Sequence, residues 1–226
     1  MAQGLLPLYR GDHYPSTLID VWHSRQGERF VLRPVLPQDH HLLGDLIERL
    51  TPASRHNRFH GAVNRLSELT LQSMTCIDYH RELAVVIAIV VAGVETVVAD
   101  ARYVLDDSEP ESAEFALVVD DQWRRRGLGA RAMRGLCDAA HRAGVKWLHG
   151  SVWAANTPML SLMRQLEFCC TPDQEDDRLV QVELRLDAPG TSDRSRFAPA
   201  PWLARWLAPW RGVQRVSVQG VAAMQA

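Results

Sequence analysis

Lysine is almost missing from this chain: Lys146 stands alone against 24 arginines in 226 residues. Cysteine is scarce as well. Cys76, Cys137, Cys169 and Cys170 form no C-x-x-C, and the adjacent Cys169 and Cys170 have no second pair nearby, so a zinc framework is not expected and a reducing, cytoplasmic setting fits. No apolar run reaches the about 18 residues that a membrane span needs; the longest, Leu83 to Val94, is broken only by Gly93 and reads as buried strands. The opening Met1-Ala2-Gln3-Gly4 has no basic stretch ahead of an apolar core, so no secretory signal is expected. A formal net charge of −2 gives no general attraction for nucleic acid. The nine histidines include no His-x-x-x-His on a helix beside a carboxylate, and no nucleophile elbow marks a reactive serine. Metal chemistry and Ser-His-Asp catalysis are therefore not expected.

What is present is a run of chain made for an anion. Glu114-Phe115-Ala116-Leu117-Val118-Val119 reads as an apolar strand, and it passes through Arg124, Arg125, Arg126, Gly127 and Gly129 into a helix expected over Leu128 to Arg142, stopped by Gly144 in a left-handed cap. Gly127 and Gly129 carry no Cβ, so backbone can approach a ligand closely, and the helix start offers unpaired N–H groups with a positive dipole end. A phosphate fits there. The loop is not a P-loop, because Gly129 is followed by Ala130 and Arg131 rather than by lysine and a hydroxyl residue. Gly127-Leu128-Gly129-Ala130-Arg131-Ala132 does read G-x-G-x-x-A, but the next strand, Lys146 to Trp153, ends in Ala154-Ala155-Asn156 with no carboxylate for a ribose.

Around this loop, Ile19 to Leu36 suggests a hairpin turning at Arg25-Gln26-Gly27-Glu28, and Pro37-Gln38-Asp39 opens a helix carrying Leu42, Leu43, Leu46, Ile47 and Leu50. A second helical patch spans Ser67 to Met74. Strands are expected over Leu83 to Val91, Val94 to Leu105, Ala113 to Val119, Lys146 to Trp153 and Arg178 to Leu186, with a helix opened by Thr157-Pro158. Strands that follow one another, with helices inserted at three points, predict an α+β fold with a mixed sheet. The expected organisation is a lead-in over 1–13, a domain over 14–186 and an extension over 187–226. In that extension Trp202, Leu203, Trp206, Leu207 and Trp210 share one helical face, expected to dock on the protein's own domain or on a second subunit in a homodimer rather than on a membrane.

Arg124-x-x-Gly127-x-Gly129 resembles the acyl-CoA loop of the GNAT superfamily of N-acetyltransferases, whose motif is Gln/Arg-x-x-Gly-x-Gly/Ala. Phe115 to Val119 resembles that family's fourth strand, and Asn156 followed by Phe168 its Asn…Gly-Phe segment. Tyr14-Pro15, Arg33 to Asp39, Leu50 to Arg55 with Arg58-Phe59, and Ile77 to Glu82 resemble the catalytic domain of bacterial protein-lysine acetyltransferases. The resemblance implies a mixed, mostly antiparallel central sheet flanked by helices, acetyl-CoA as co-substrate, and transfer to a primary amine by direct attack in a ternary complex. The favoured acceptor is a protein lysine. The alternatives are a small amine and a non-catalytic acyl-CoA-binding module. Codon or genome bias is the leading explanation of the missing lysines; avoidance of self-modification is the second.

A lysine amine with pKa near 10.4 is protonated at neutral pH, which sets roughly 4–5 kcal/mol against the reactive form, so a base is required. The resemblance gives that role to Glu114, with Ala116 leaving room beside it on the same strand face. The same resemblance assigns the cofactor to Leu117, Val118 and Val119 of the strand, to Arg124, Arg125, Arg126, Gly127, Leu128, Gly129 and Ala130 of the loop, and to Asn156. Two residues depart from the family pattern. Met163 stands where many members place a tyrosine acid, and Glu167 replaces the glycine before Phe168, which leaves that turn's geometry open. His80 stands where the subgroup has aspartate. Arg55-His56-Asn57-Arg58-Phe59-His60 is expected between the first two helices, where acceptors enter in this family; helix-surface charge is the plainer reading.

Overall fold

A computed structural model describes residues 14–187. After a short 3-10 turn, β1 (Asp20–His23) and β2 (Arg29–Pro34) form the expected antiparallel hairpin, with Gly27 at φ +85° in its turn and Phe30, Leu32 and Pro34 buried on one face. A 3-10 turn over Pro37–Asp39 leads into α1 (His40–Arg49), which buries Leu43, Leu46 and Ile47. The buried Asp39 carboxylate fixes that start: it accepts from the Leu36 N–H at 2.7 Å and pairs with Arg33 at 2.6 Å.

Then come α2 (Pro52–Phe59) and α3 (Glu68–Thr75). Thr51 and Ser67 cap them, their side chains accepting from the Ser54 and Thr70 N–H groups. β3 (Glu82–Val91) and β4 (Val94–Leu105) join through Ala92 and Gly93, both with positive φ, the geometry of a two-residue hairpin turn. β5 (Ser112–Val119), α4 (Leu128–Arg142) and β6 (Trp147–Trp153) make one crossover with parallel strands. The chain closes with α5 (Thr157–Gln165), β7 (Cys169–Pro172) and β8 (Leu179–Arg185).

The eight strands lie in the order β1-β2-β3-β4-β5-β6-β8-β7, antiparallel at every junction except β5 with β6. The fold is therefore α+β with a mixed, mostly antiparallel sheet, as the sequence predicts. Leu128, Ala132, Met133, Leu136 and Ala140 of α4 join one core cluster with Leu83, Val85 and Ile87 of β3 and Ala101 and Tyr103 of β4. The alternate β3 residues Ala84, Val86 and Ala88 are buried too, so this central strand is covered on both faces, which explains its unbroken apolar run.

Two expectations need correction. The segment containing Arg55 to Phe59 is not a connection between helices but a helix in its own right, α2. β7 was not foreseen at all. The lead-in over 1–13 and the tryptophan-rich segment of the extension lie outside the described residues.

Candidate active site

The site begins where the sheet divides. β5 pairs with β4 along its length, from Ala113↔Leu105 to Val119↔Ala99, but with β6 only through Ser112↔Trp147, Ala113↔Leu148 and Glu114↔His149. Beyond Glu114 the two parallel strands part, while β6 stays paired with β8 as far as Trp153↔Leu179. The result is a wedge open towards the carboxyl ends of β5 and β6, the end of a parallel pair where α/β crossovers take ligands. Leu117, Val118 and Val119 border it on β5.

At the mouth of the wedge lies the arginine loop, and its shape is held by carboxylates. Buried Asp120 accepts from the Gln122 N–H at 3.1 Å and from Arg49 Nε at 2.9 Å. Asp121 accepts from the Thr51 N–H at 2.9 Å and the Ser54 hydroxyl at 2.7 Å, which ties the loop to the start of α2. Arg124 pairs with Asp121 at 3.0 Å and donates to Ser54 at 2.8 Å. Arg126 reaches Glu28 at 2.8 Å and lies over the Trp123 ring. Of the three guanidiniums only Arg125 has no partner among the described residues, and its backbone sits at φ +60°. The loop charge available to a ligand is thus smaller than three arginines suggest.

Gly127, at φ +79°, is the N-cap of α4 and supplies no side chain to the helix's first N–H groups, so that end remains available to an anion. Gly129 has a second job. A Cβ there would meet Leu162 Cδ2 of α5 at 3.2 Å and the tips of Leu117 and Val119 at 3.6 Å, so the bare glycine lets α4 seat closely on β5 and α5. Leu128 and Ala130 are buried beside it.

Glu114 is 8% exposed and makes no hydrogen bond or ion pair among the described residues. Burial, aided by the negative charge of Asp106, holds its carboxyl well above the usual carboxylate range. Its register partner His149 moves the other way: burial pushes the imidazole down to about 4, with Asp106 opposing. Ala116, two residues on and on the same face, pairs with Arg102 of β4. From above, α2 sends His56 and His60 against the Trp153 indole, with centroids at 5.0 and 5.4 Å. The His60 ring bonds to the Ser151 backbone; burial, then nearby Arg58, lowers its pKa.

Asn156 caps α5, its side chain accepting from the Met159 N–H at 3.3 Å. Met163 is fully buried, so nothing at that position meets solvent or substrate. Glu167 keeps the turn that a glycine would make: at φ +66° it donates to the Arg164 carbonyl while Phe168 donates to that of Met163, a Schellman closure of α5. Sequence reasoning passed over His149 and Trp153, although strand alternation puts both on the Glu114 face. Among the described residues no three His, Cys, Asp or Glu side chains converge as a metal site, and no helix is long and apolar enough to cross a membrane.

Comparison with known proteins places these features. The model of the acetyltransferase (GNAT) family matches residues 55–168. An acetyltransferase of Pseudomonas aeruginosa is 32% identical over 176 residues, which covers 78% of this chain and 91% of that protein. The acetyltransferase Pat of Mycolicibacterium smegmatis is 32% identical over 143 residues, 63% of this chain but only 42% of that longer protein. Among solved structures, the GNAT domain of S. lividans PAT superposes with a TM-score of 0.68 at 21% identity, covering 76% of this chain and 99% of that one.

Proposed function

The chain belongs to the GNAT acetyltransferase family, acyltransferases that use acetyl-CoA, and from that premise we propose that it acetylates a protein lysine with Glu114 as the base. The observation that carries the reading is the placement of Glu114: a buried, unpaired carboxyl at the last residue pair before β5 and β6 separate. A carboxylate without competing donors, raised in pKa by burial, is a stronger proton acceptor than an exposed one. The resemblance of Tyr14-Pro15, Arg33 to Asp39 and Ile77 to Glu82 to bacterial protein-lysine acetyltransferases supports the choice of a protein acceptor.

In this reading the backbone of Leu117, Val118 and Val119 flanks the thioester arm of acetyl-CoA, and the Arg124 to Ala130 loop with the α4 N-terminus receives its phosphates. Asn156 stands at the other side of the wedge. Glu114 takes a proton from the acceptor ammonium, the freed amine attacks the thioester carbonyl, a C–N bond forms and the C–S bond breaks. The departing thiolate is of the class with pKa near 8.5 and needs no strong acid. Buried Met163 offers none, so the proton that the nitrogen sheds as the amide forms passes, through water, to the thiolate.

Replacing the base tests this. Glu114→Gln should leave acetyl-CoA affinity within about twofold and lower turnover by about 10²–10⁴-fold on a lysine peptide. Glu114 works ionised, so the wild-type rate should climb as pH passes upward through its raised pKa, and the variant should lack that inflection. Wild-type turnover in Glu114→Gln would place the base elsewhere.

A further inference from the structure

Two guanidiniums on the Glu114 face share a single carboxylate. Asp100 of β4 is 1% exposed and is taken by Arg102 in a bidentate grip, Nη2 to Oδ1 at 2.6 Å and Nε to Oδ2 at 3.1 Å, while Arg102 Nη1 donates to the Met74 carbonyl at 3.1 Å. What remains for Arg58 of α2 is one long contact, Nη2 to Oδ2 at 3.4 Å, on an oxygen that Arg102 already holds. The Arg58 side chain is only 11% exposed, and its Nε is buried with no acceptor. A buried cation short of acceptors is costly, and a second carboxylate would supply both the missing charge and the missing acceptors.

The position of this cluster names the source of that carboxylate. In the β4–β5 register Val104 faces Glu114, Arg102 faces Ala116 and Asp100 faces Val118, so the cluster starts two residue pairs, about 7 Å along the strand, from the base and on its face. The other face, that of Leu117 and Val119, belongs to α4 and Gly129. The end of α2 spans the same ground, from Arg58 on Asp100 of β4 to the His60 ring on Ser151 of β6. Between them lies Ala116, which is partly exposed while Glu114 and Val118 on either side of it on that face are buried. The phosphate cradle is at the α4 terminus, so the group that comes here arrives with the acceptor.

We propose that the acceptor carries a carboxylate close to its reactive amine, and that Arg58, backed by Arg102, receives this carboxylate while Glu114 receives the amine. The inference rests on the acetyl-transfer reading above and refines its acceptor. A protein would offer such a carboxylate on a glutamate or aspartate beside the target lysine; a free amino acid would offer its own.

Paired acceptors separate these cases: a lysine peptide flanked by glutamate against the same peptide with glutamine, and β-alanine against β-alaninamide, each with wild type, Arg58→Gln and Arg58→Met. At least one carboxylate acceptor should exceed its amide by about tenfold or more in kcat/KM, chiefly through KM. Both variants should lose that preference and keep their acetyl-CoA affinity and their kcat on the amides. Preference in the peptide arm alone assigns the carboxylate to a protein. Preference in the β-alanine arm assigns it to a small acceptor. Arg58→Met, apolar and of similar length, covers the case in which Arg58→Gln fails to fold. The same pairs are titrated by calorimetry into CoA-loaded protein, a readout that needs no catalysis. Tighter carboxylate binding that depends on Arg58, without transfer to any amine, would keep this subsite and overturn the acetyl-transfer reading. Equal binding of carboxylate and amide, or discrimination that survives in a folded Arg58 variant, would overturn the subsite.

Discussion

Glu167 occupies a backbone conformation that costs an L-residue roughly 1–2 kcal/mol, because Cβ crowds the following carbonyl. The turn survives because its two hydrogen bonds close α5 and because Phe168 and Met163, both buried, lock it from the core side. Glu167→Gly removes the crowding and returns part of the gain as unfolded-chain entropy. The expected net is a stabilisation of about 0.5–1 kcal/mol, which thermal unfolding should register as a rise of about 1–4 °C. A fall in melting temperature would mean that the Glu167 side chain contributes more than its conformation costs. Nothing in the sequence could decide this point beforehand, since Glu167 on its own speaks against a left-handed turn and only the packing of its neighbours imposes one. Glu114 is proposed as the base through the resemblance alone. Its lack of partners was not legible, because it depends on which side chains β4 and β6 present to it.

Among the elements, those with an apolar stripe or a clear stop signal were legible. α4 runs from Leu128 to Arg142 as expected, and Gly144 at φ +84° ends it, its N–H donating to the His141 carbonyl while that of Val145 donates to Ala140. α2 was not legible because its only buried residue is Ser54. No apolar periodicity betrays it; its stability comes from the Thr51 cap, from Pro52 at the first turn and from polar ties to the arginine loop. β7 is four residues long and pairs with β8 alone, with no buried side chain of its own, so it too leaves no pattern. The dependence of α2 on its ties can be measured. The Ser54 hydroxyl meets Thr51 at 2.7 Å, Asp121 at 2.7 Å and Arg124 at 2.8 Å, and Ser54→Ala leaves those partners short. It should cost about 1–3 kcal/mol of stability. Because Arg124 and Asp121 then lose the post that shapes the loop, acetyl-CoA should also bind several-fold more weakly in calorimetry. Unchanged affinity in a destabilised Ser54→Ala would show that α2 and the loop are tied structurally and not functionally.

For the whole molecule, composition and strand order foretold a mixed sheet but not its division. The division is a property of the ladder: the backbone of β5 and β6 separates after three residue pairs, and no side-chain pattern marks where pairing stops. Beyond the division the sheet consists of two parts, β1 to β5 and β6 to β8, that α4 and α5 pack against without restoring the ladder. A ligand whose arm lies in the wedge therefore touches both parts at once. Acetyl-CoA at about 100 times its Kd should stabilise the fold by about 2.7 kcal/mol through mass action. For a chain of this size that corresponds to a rise in melting temperature of about 5–11 °C. Amide exchange should slow together over 115–119 and 150–153, on both sides of the wedge, whereas a ligand held by the arginine loop alone would protect only the loop and the first turn of α4. Gly127→Val is the informative control, because its Cβ would meet nothing within 4 Å while its φ of +79° disfavours a branched residue. That variant should fold with a modest loss of stability and show little of the acetyl-CoA shift. Saturating acetyl-CoA that leaves both melting temperature and wedge exchange unchanged in the wild type would remove the wedge as the cofactor site.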